Sequence, residues 1–200
     1  IDTPEELAWF ISEVNGRIHY NGNTNNVASN TTLNGKLTAD IDMSAHNWVP
    51  IGAGYKCNAN NEFILDANGK KIKLAYEGEF DGNGHVITGL KNNADKWYKV
   101  AEGQNNEVVV YPGMFSNVKG TVHDVFILDS DFRGKAHQVD GKGKFIHHGI
   151  LADTLTGGTI YNCEAAGRMT CNNDNANDVN LIYGGLVGLN NGGTIYNAMA

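Results

Sequence analysis

Several things are scarce in this chain. Proline and cysteine each occur 3 times in 200 residues, and only 18% of residues are charged. No apolar run approaches the ~20 residues that a bilayer-spanning helix requires. The first residues lack the basic, apolar and small-residue regions of a signal peptide, which predicts a mature or trimmed chain. Cys57, Cys163 and Cys171 match neither a dense disulfide framework nor a Cys-x-x-Cys zinc pattern, so they read as small buried or idle thiols. Basic residues are too few for a polyanion partner: the formal net charge is −7, and phosphate binding needs clustered Lys and Arg, so no nucleic acid is expected.

What the chain does have is glycine, 25 residues of it, and a repeat. Gly185-Leu186-Val187-Gly188 reappears as Gly149-Ile150-Leu151-Ala152 and Gly113-Met114-Phe115-Ser116, 36 residues apart each time. Thr194-Ile195-Tyr196-Asn197 reappears as Thr159-Ile160-Tyr161-Asn162, then more loosely as Thr121-Val122-His123-Asp124 and Val86-Ile87-Thr88-Gly89. Two motifs keeping nearly one period indicate stacked repeats, in which a single repeat cannot bury its apolar face alone.

An N-terminal unit over 1–35 precedes the repeats of 36–200. Thr3-Pro4-Glu5-Glu6 opens a helix with a capping residue, a proline at the first position and a Glu that can reach back, and Gly16 ends it. Leu7, Phe10, Ile11 and Val14 share one face, suited to covering the open end of a stack. Trp9 is expected to pack under this cap. Residues 17–35 read as a polar loop.

Lys36–Met43 alternates like a half-buried strand, and Phe63–Leu74 reads as a hairpin with a type I′ turn at Asn68-Gly69. Asp81-Gly82-Asn83-Gly84 reads as a turn, since the remaining ligands of a calcium loop are missing. A strand like Leu37–Met43, then Trp48-Val49-Pro50-Ile51-Gly52, Phe80-Asp81-Gly82-Asn83-Gly84-His85 and Gly185-Leu186-Val187-Gly188 with Gly192-Gly193-Thr194-Ile195-Tyr196-Asn197, resembles the GLUG-repeat family. Its members are bacterial surface or secreted proteins, adhesin-like proteins and non-catalytic parts of IgA-cleaving metallopeptidases among them. The resemblance covers nearly the whole chain from Thr3, with the copies at Gly113 and Gly149 degenerate. It implies an all-β fold, a right-handed parallel β-helix solenoid with the helix as cap, and an extracellular or cell-surface location.

In that arrangement three inward columns are expected: Ile87, Val122, Ile160 and Ile195; Leu90, Val125, Cys163 and Ala198; and Met114, Ile150 and Leu186. Asp124, Asn162 and Asn197 would stack at a corner and bond neighbouring backbone. His123, Tyr161 and Tyr196 would form an outward column, able to stack on sugar rings or to pack against each other across strands. Inserts at about 91–112, 133–148 and 171–183 would project from one edge as a recognition surface, carrying Trp97, Tyr98 and a strand at Val108–Tyr111. The chain ends within a repeat, which predicts that the protein continues.

Catalytic patterns are few. Asp129, Asp131, Arg133 and Lys135 share strand parity and would resemble a polysaccharide lyase face, although Gly134 is expected to break that strand. None of the 7 histidines opens a His-Glu-x-x-His helix, and there is no Gly-x-Ser-x-Gly elbow. His147-His148 reads as a polar edge. The sequence therefore predicts a non-catalytic adhesion or display module for a host or environmental glycan or glycoprotein. A structural spacer for a C-terminal effector is the alternative, and a polysaccharide-cleaving enzyme the third reading. No metal or other cofactor is expected; the oxygen-rich run 172–178 leaves only calcium to consider.

Overall fold

The computed structural model describes residues 1–16, 19–20, 23–24, 27–60, 62–92, 113–136, 144–173 and 179–200. Helix α1 (Pro4–Asn15) is followed by β1 (His19–Tyr20), β2 (Asn23–Thr24), β3 (Gly35–Lys36), β4 (Ile41–Asp42), β5 (Glu79–Asp81) and β6 (Val86–Thr88). Then come β7 (Phe115–Val118), β8 (Thr121–His123), β9 (Phe126–Ala136), β10 (Lys144–Gly149) and β11 (Ala152–Thr156). The chain ends with β12 (Thr159–Tyr161), β13 (Glu164–Asn173), β14 (Val179–Gly184), β15 (Val187–Asn191) and β16 (Thr194–Tyr196). Apart from α1 the regular elements of the described residues are all strands, and nearly every ladder is parallel.

Three parallel sheets each take one strand from successive repeats. The first runs β16-β12-β8-β5-β3, the second β13-β9-β6-β4 and the third β15-β11-β7. From β7 onward the chain visits them in a fixed order of third, first and second, then starts again. Parallel strands cannot be joined by a tight turn, so neighbours within these sheets lie a full coil apart in sequence. Each strand therefore pairs with its counterpart about one period away, which is what gives the sequence its period.

Register decides which side chains form the core. In the first sheet Gly35, Phe80, Val122, Ile160 and Ile195 share one level. The second sheet aligns Ile41, Ile87, Ile127 and Ala165, all buried. Ile87 thus belongs to a different sheet from Val122, contrary to the sequence expectation, and Phe80 takes the expected place. Leu90 is likewise level with Ser130, since Lys91 bridges Asp131; Val125, Cys163 and Ala198 do keep one level. In the third sheet Leu151 rather than Ile150 is level with Leu186, although Ile150 and Leu151 are both buried. Each large aliphatic side chain so buried contributes roughly 1.5–3 kcal/mol, which makes these columns the main source of stability.

The turn into the first sheet is a glycine column. Gly78, Gly120, Gly158 and Gly193 each stand one residue before a strand of that sheet. A Cβ on Gly158 would lie 2.5 Å from the carbonyl oxygen of Gly120, and one on Gly193 2.9 Å from that of Gly158. The same carbonyls accept Thr159 N–H and Thr194 N–H, both at 2.9 Å. The backbones approach so closely that no side chain fits, which explains the repeated Gly before Thr-Ile-Tyr.

Helix α1 starts as its sequence implies. Thr3 Oγ1 accepts the Glu6 N–H at 3.2 Å, Glu6 reaches back to the Asp2 N–H at 2.9 Å, and Gly16 closes the helix at φ 72°. Leu7, Phe10, Ile11 and Val14 are buried, with the Phe10 ring 5.5 Å from Phe80 and 6.1 Å from Tyr76. Gly35 leaves the space that the Phe10 ring occupies. Buried Asn15 donates to Pro50 O at 2.9 Å and accepts from Gly52 N–H at 2.7 Å, tying the cap to the turn after Trp48. Trp9 is 59% exposed and does not pack under the cap: it lies off the face that Leu7, Phe10, Ile11 and Val14 bury.

Between Ile51 and Tyr76 the chain leaves the stack and returns through antiparallel bridges Tyr55 to Lys73, Cys57 to Phe63 and Leu65 to Lys71. The expected hairpin is present, but its turn is not type I′. Asp66 N–H donates to Lys70 O at 2.7 Å, the Asp66 carboxylate accepts the Asn68 and Lys70 amides, and only Gly69 is left-handed, at φ 75°. That is a three-residue loop whose glycine holds the left-handed position.

Candidate functional site

The outward positions of the first sheet bring together the residues with the most chemistry. Lys36, Asp81, His123, Tyr161 and Tyr196 share one level of the register, one from each strand. The rings of His123 and Tyr161 stack at 4.8 Å between centroids and 1° between planes, and those of Tyr161 and Tyr196 at 5.0 Å and 3°. The spacing is that of neighbouring strands, ~4.8 Å, so parallel in-register pairing places like rings face to face. The sequence-predicted column therefore exists. Its rings cover each other's facing sides, so both faces of Tyr161 are occupied, whereas Tyr196 is stacked on one side and 51% exposed.

At the His123 end the column becomes ionic. His123 is 8% exposed. Its Nδ1 lies 2.7 Å from Asp124 Oδ2 and 3.7 Å from Asp81 Oδ1, while Nε2 lies 3.2 Å from Glu79 Oε1. Burial disfavours the charged ring, but the hydrogen bonds to Asp124 and Glu79 and the charge of Asp81 outweigh it and hold the imidazole above its ordinary pKa. Burial also acts to raise the Asp81 pKa, yet the Lys36 ammonium at 2.7 Å and the Asn83 N–H hold that carboxyl below the usual range. Among the described residues, Asp81, His123 and Asp124 bring three potential ligand atoms within 4.8 Å of one another.

Asp124, Asn162 and Asn197, at φ 53°, 53° and 49°, form the corner beside this column. They bond one another rather than the neighbouring backbone: Asn162 Nδ2 donates to Asp124 Oδ1 at 3.1 Å, and Asn197 Nδ2 to Asn162 Oδ1 at 2.6 Å. Identical corners one strand apart put each amide within reach of the next, so side-chain partners take precedence.

A second layer lies against the third sheet. β10 and β14 pair in parallel from Lys144–Val179 to Gly149–Gly184, and β10 runs alongside β11 and β15, with the His148 backbone close to Gly188. His148 and Asp153 are buried there at 0% and 2% exposure. His148 is thus not the polar edge that its sequence suggests. Its Nδ1 lies 3.5 Å from Asp153 Oδ1, which accepts the Gly149 N–H at 3.3 Å; among the described residues neither His148 nitrogen nor Asp153 Oδ2 has a hydrogen-bond partner. Burial pushes the Asp153 carboxyl up to about 6, against the opposing pull of His148 and the Gly149 amide. Sequence reading missed Asp153, a single acidic residue inside the Ala-Asp-Thr-Leu strand.

Other sequence candidates fare differently. Trp97 and Tyr98, the Val108–Tyr111 strand and residues 174–178 lie outside the described residues. Asn172 and Asn173, the start of the oxygen-rich run, pair as strand with Lys135 and Ala136. The Asp129, Asp131, Arg133 face is interrupted at Asp129, where φ is 53° and the register with β13 shifts, rather than at Gly134, which pairs with Cys171. Arg133 forms an exposed ion pair with Asp131 at 3.1 Å. Cys57 and Cys163 are buried, and burial pushes the Cys163 thiol up to about 11.

Fold and site together define an all-β protein whose parallel sheets each gain one strand per repeat. No protein-family model and no curated protein matches the chain. Among solved structures it is similar to the crystal structure of a candidate immunoglobulin A1 protease from Bacteroides ovatus, at 16% identity and a TM-score of 0.46. The match covers 99% of this chain and 55% of the other, so this chain spans about half of that protein's length.

Proposed function

We propose that the chain is a right-handed parallel β-helix module of the GLUG-repeat kind, displayed outside the cell or on its surface. In this reading it is non-catalytic and recognises a host or environmental glycan or glycoprotein through the edge where its inserts emerge. The observation that carries the reading is the in-register pairing of β10 with β14. Inserts from two successive repeats build one continuous layer, and Ile182 and Tyr183, on opposite faces of β14, are both exposed, Tyr183 on the face of buried His148. Repeat proteins commonly bind through such stacked insertions. The ordered visits to three sheets support the β-helix, and the net charge of −7 disfavours nucleic acid. The Asp131–Arg133 ion pair and the bulge at Asp129 give the polysaccharide-cleaving alternative no support.

The test is retention of the purified chain on immobilised polysaccharides and mucin-type glycoproteins, with Trp97→Ala and Tyr98→Ala as variants. Selective retention lost in the variants supports recognition at the insert edge. A spacer role is the second reading, favoured by an outward aromatic column whose rings stack on each other. No retention on any surface moves the account to the spacer.

A further inference from the structure

We propose that Asp81, His123 and Asp124 form a binding site for a divalent transition-metal ion of the zinc class, clipping two successive repeats together. The inference is independent of the partner suggested above. Asp81 comes from β5, His123 from the next strand of the same sheet, and Asp124 from the left-handed corner that follows it. Imidazole nitrogen with carboxylate oxygen suits zinc-class ions better than calcium, which takes oxygen alone.

The geometry fits an ion with three protein ligands and one open position. Ligand atoms ~2.0–2.2 Å from a tetrahedral zinc stand about 3.3–3.6 Å from each other. His123 Nδ1 is 2.7 Å from Asp124 Oδ2 and 3.7 Å from Asp81 Oδ1, one shorter and one slightly longer than these values, and all three ligand atoms lie within 4.8 Å of one another.

Each ligand is oriented by a partner on its other side. Glu79 Oε1 lies 3.2 Å from His123 Nε2 and keeps the N–H there, so that an ion displacing the Nδ1 proton now shared with Asp124 meets the Nδ1 lone pair. Lys36 holds Asp81 Oδ2 at 2.7 Å, and Asn162 donates to Asp124 Oδ1 at 3.1 Å. Tyr161, stacked at 4.8 Å and 1°, fixes the imidazole plane independently of those hydrogen bonds. Three carboxylates face one Lys and one His, an acidic excess that a divalent cation offsets.

Protein stripped with a chelator and dialysed is titrated calorimetrically with ZnCl₂ at pH 7.5, and its thermal melt is followed with and without the ion. Wild type is expected to take up one equivalent saturably and to melt at a higher temperature when loaded. His123→Phe keeps a ring in the stack and Asp124→Asn suits the left-handed corner, so both should melt near metal-free wild type while losing that equivalent. Glu79→Gln should bind about 10–100-fold more weakly, the usual effect of losing such a supporting group. Absence of a saturable equivalent in wild type overturns the proposal. So does uptake unchanged in His123→Phe and Asp124→Asn, which would place the ion on other histidines or cysteines.

Discussion

The ring of Tyr161 lies flat on that of Tyr196, with centroids 5.0 Å apart and planes 3° apart. On its other side Tyr161 meets His123 at 4.8 Å and 1°. Both faces of Tyr161 are therefore occupied by side chains of its own molecule. Stacking on a sugar needs an uncovered face, so the middle of this column acts as cross-strand packing. Its chemistry is concentrated instead at the His123 end, where the stack meets Glu79, Asp81 and Asp124.

Ile160 and Tyr161 are neighbours on opposite sides of the first sheet, one wholly buried and one outward. Ile160→Asp would place an unpaired carboxylate between Val122 and Ile195 and should prevent folding, since buried charges without partners cost several kcal/mol. Tyr161→Ser should fold and melt only a few degrees below wild type. Thermal melts by circular dichroism distinguish the two, and equal melts would contradict the register.

Gly157 and Gly158 provide a second contrast. Gly157 is left-handed at φ 74° with nothing within 4 Å of its would-be Cβ, so Gly157→Ala should cost ~1 kcal/mol. Gly158→Ala drives its methyl group toward Gly120 O, where backbone on both sides prevents relaxation, and should cost more, about 1–3 kcal/mol or above. Denaturant midpoints for the two variants measure the difference.

The buried Asp153 carboxyl predicts an unusual pH dependence. Its folded pKa, about 6, lies above its ordinary value of 3.8, so the folded protein holds the proton more tightly. That contribution to stability is fully present below about pH 3.8 and is lost as pH rises through about 6. Asp153→Asn should remove this component, leaving a flatter stability curve between pH 4 and 7 and no loss of stability at pH 7. A variant curve parallel to wild type would show that Asp153 does not titrate in this window.

The period, the cap and the outward column were all legible in the sequence, because stacking requires like residues at like positions. The early repeats were not. Val86-Ile87-Thr88 mimics the Thr-Ile-Tyr motif, yet Phe80 fills that place because its ring packs against Phe10 and Phe115. Four residues, 82–85, then carry the chain on to the second sheet. The His148–Asp153 pair was invisible for another reason. Asp153 lies between the buried Ala152 and Leu155, so parity gives no sign of its role, and its partner His148 comes from the β10–β14 layer, which has no motif of its own. Trp9 shows the same limit, since the helical pattern identifies the face that packs and leaves open how far cover extends around it.

The central functional claim is that recognition belongs to the insert edge and not to the aromatic column. The direct measurement compares retention of wild type, Tyr161→Ser and the double variant Ile182→Ser with Tyr183→Ser on one immobilised mucin-type glycoprotein, after melts confirm that all three are folded. The account predicts that Tyr161→Ser is retained like wild type and that the double variant is not. Retention lost in Tyr161→Ser but kept in the double variant would contradict it.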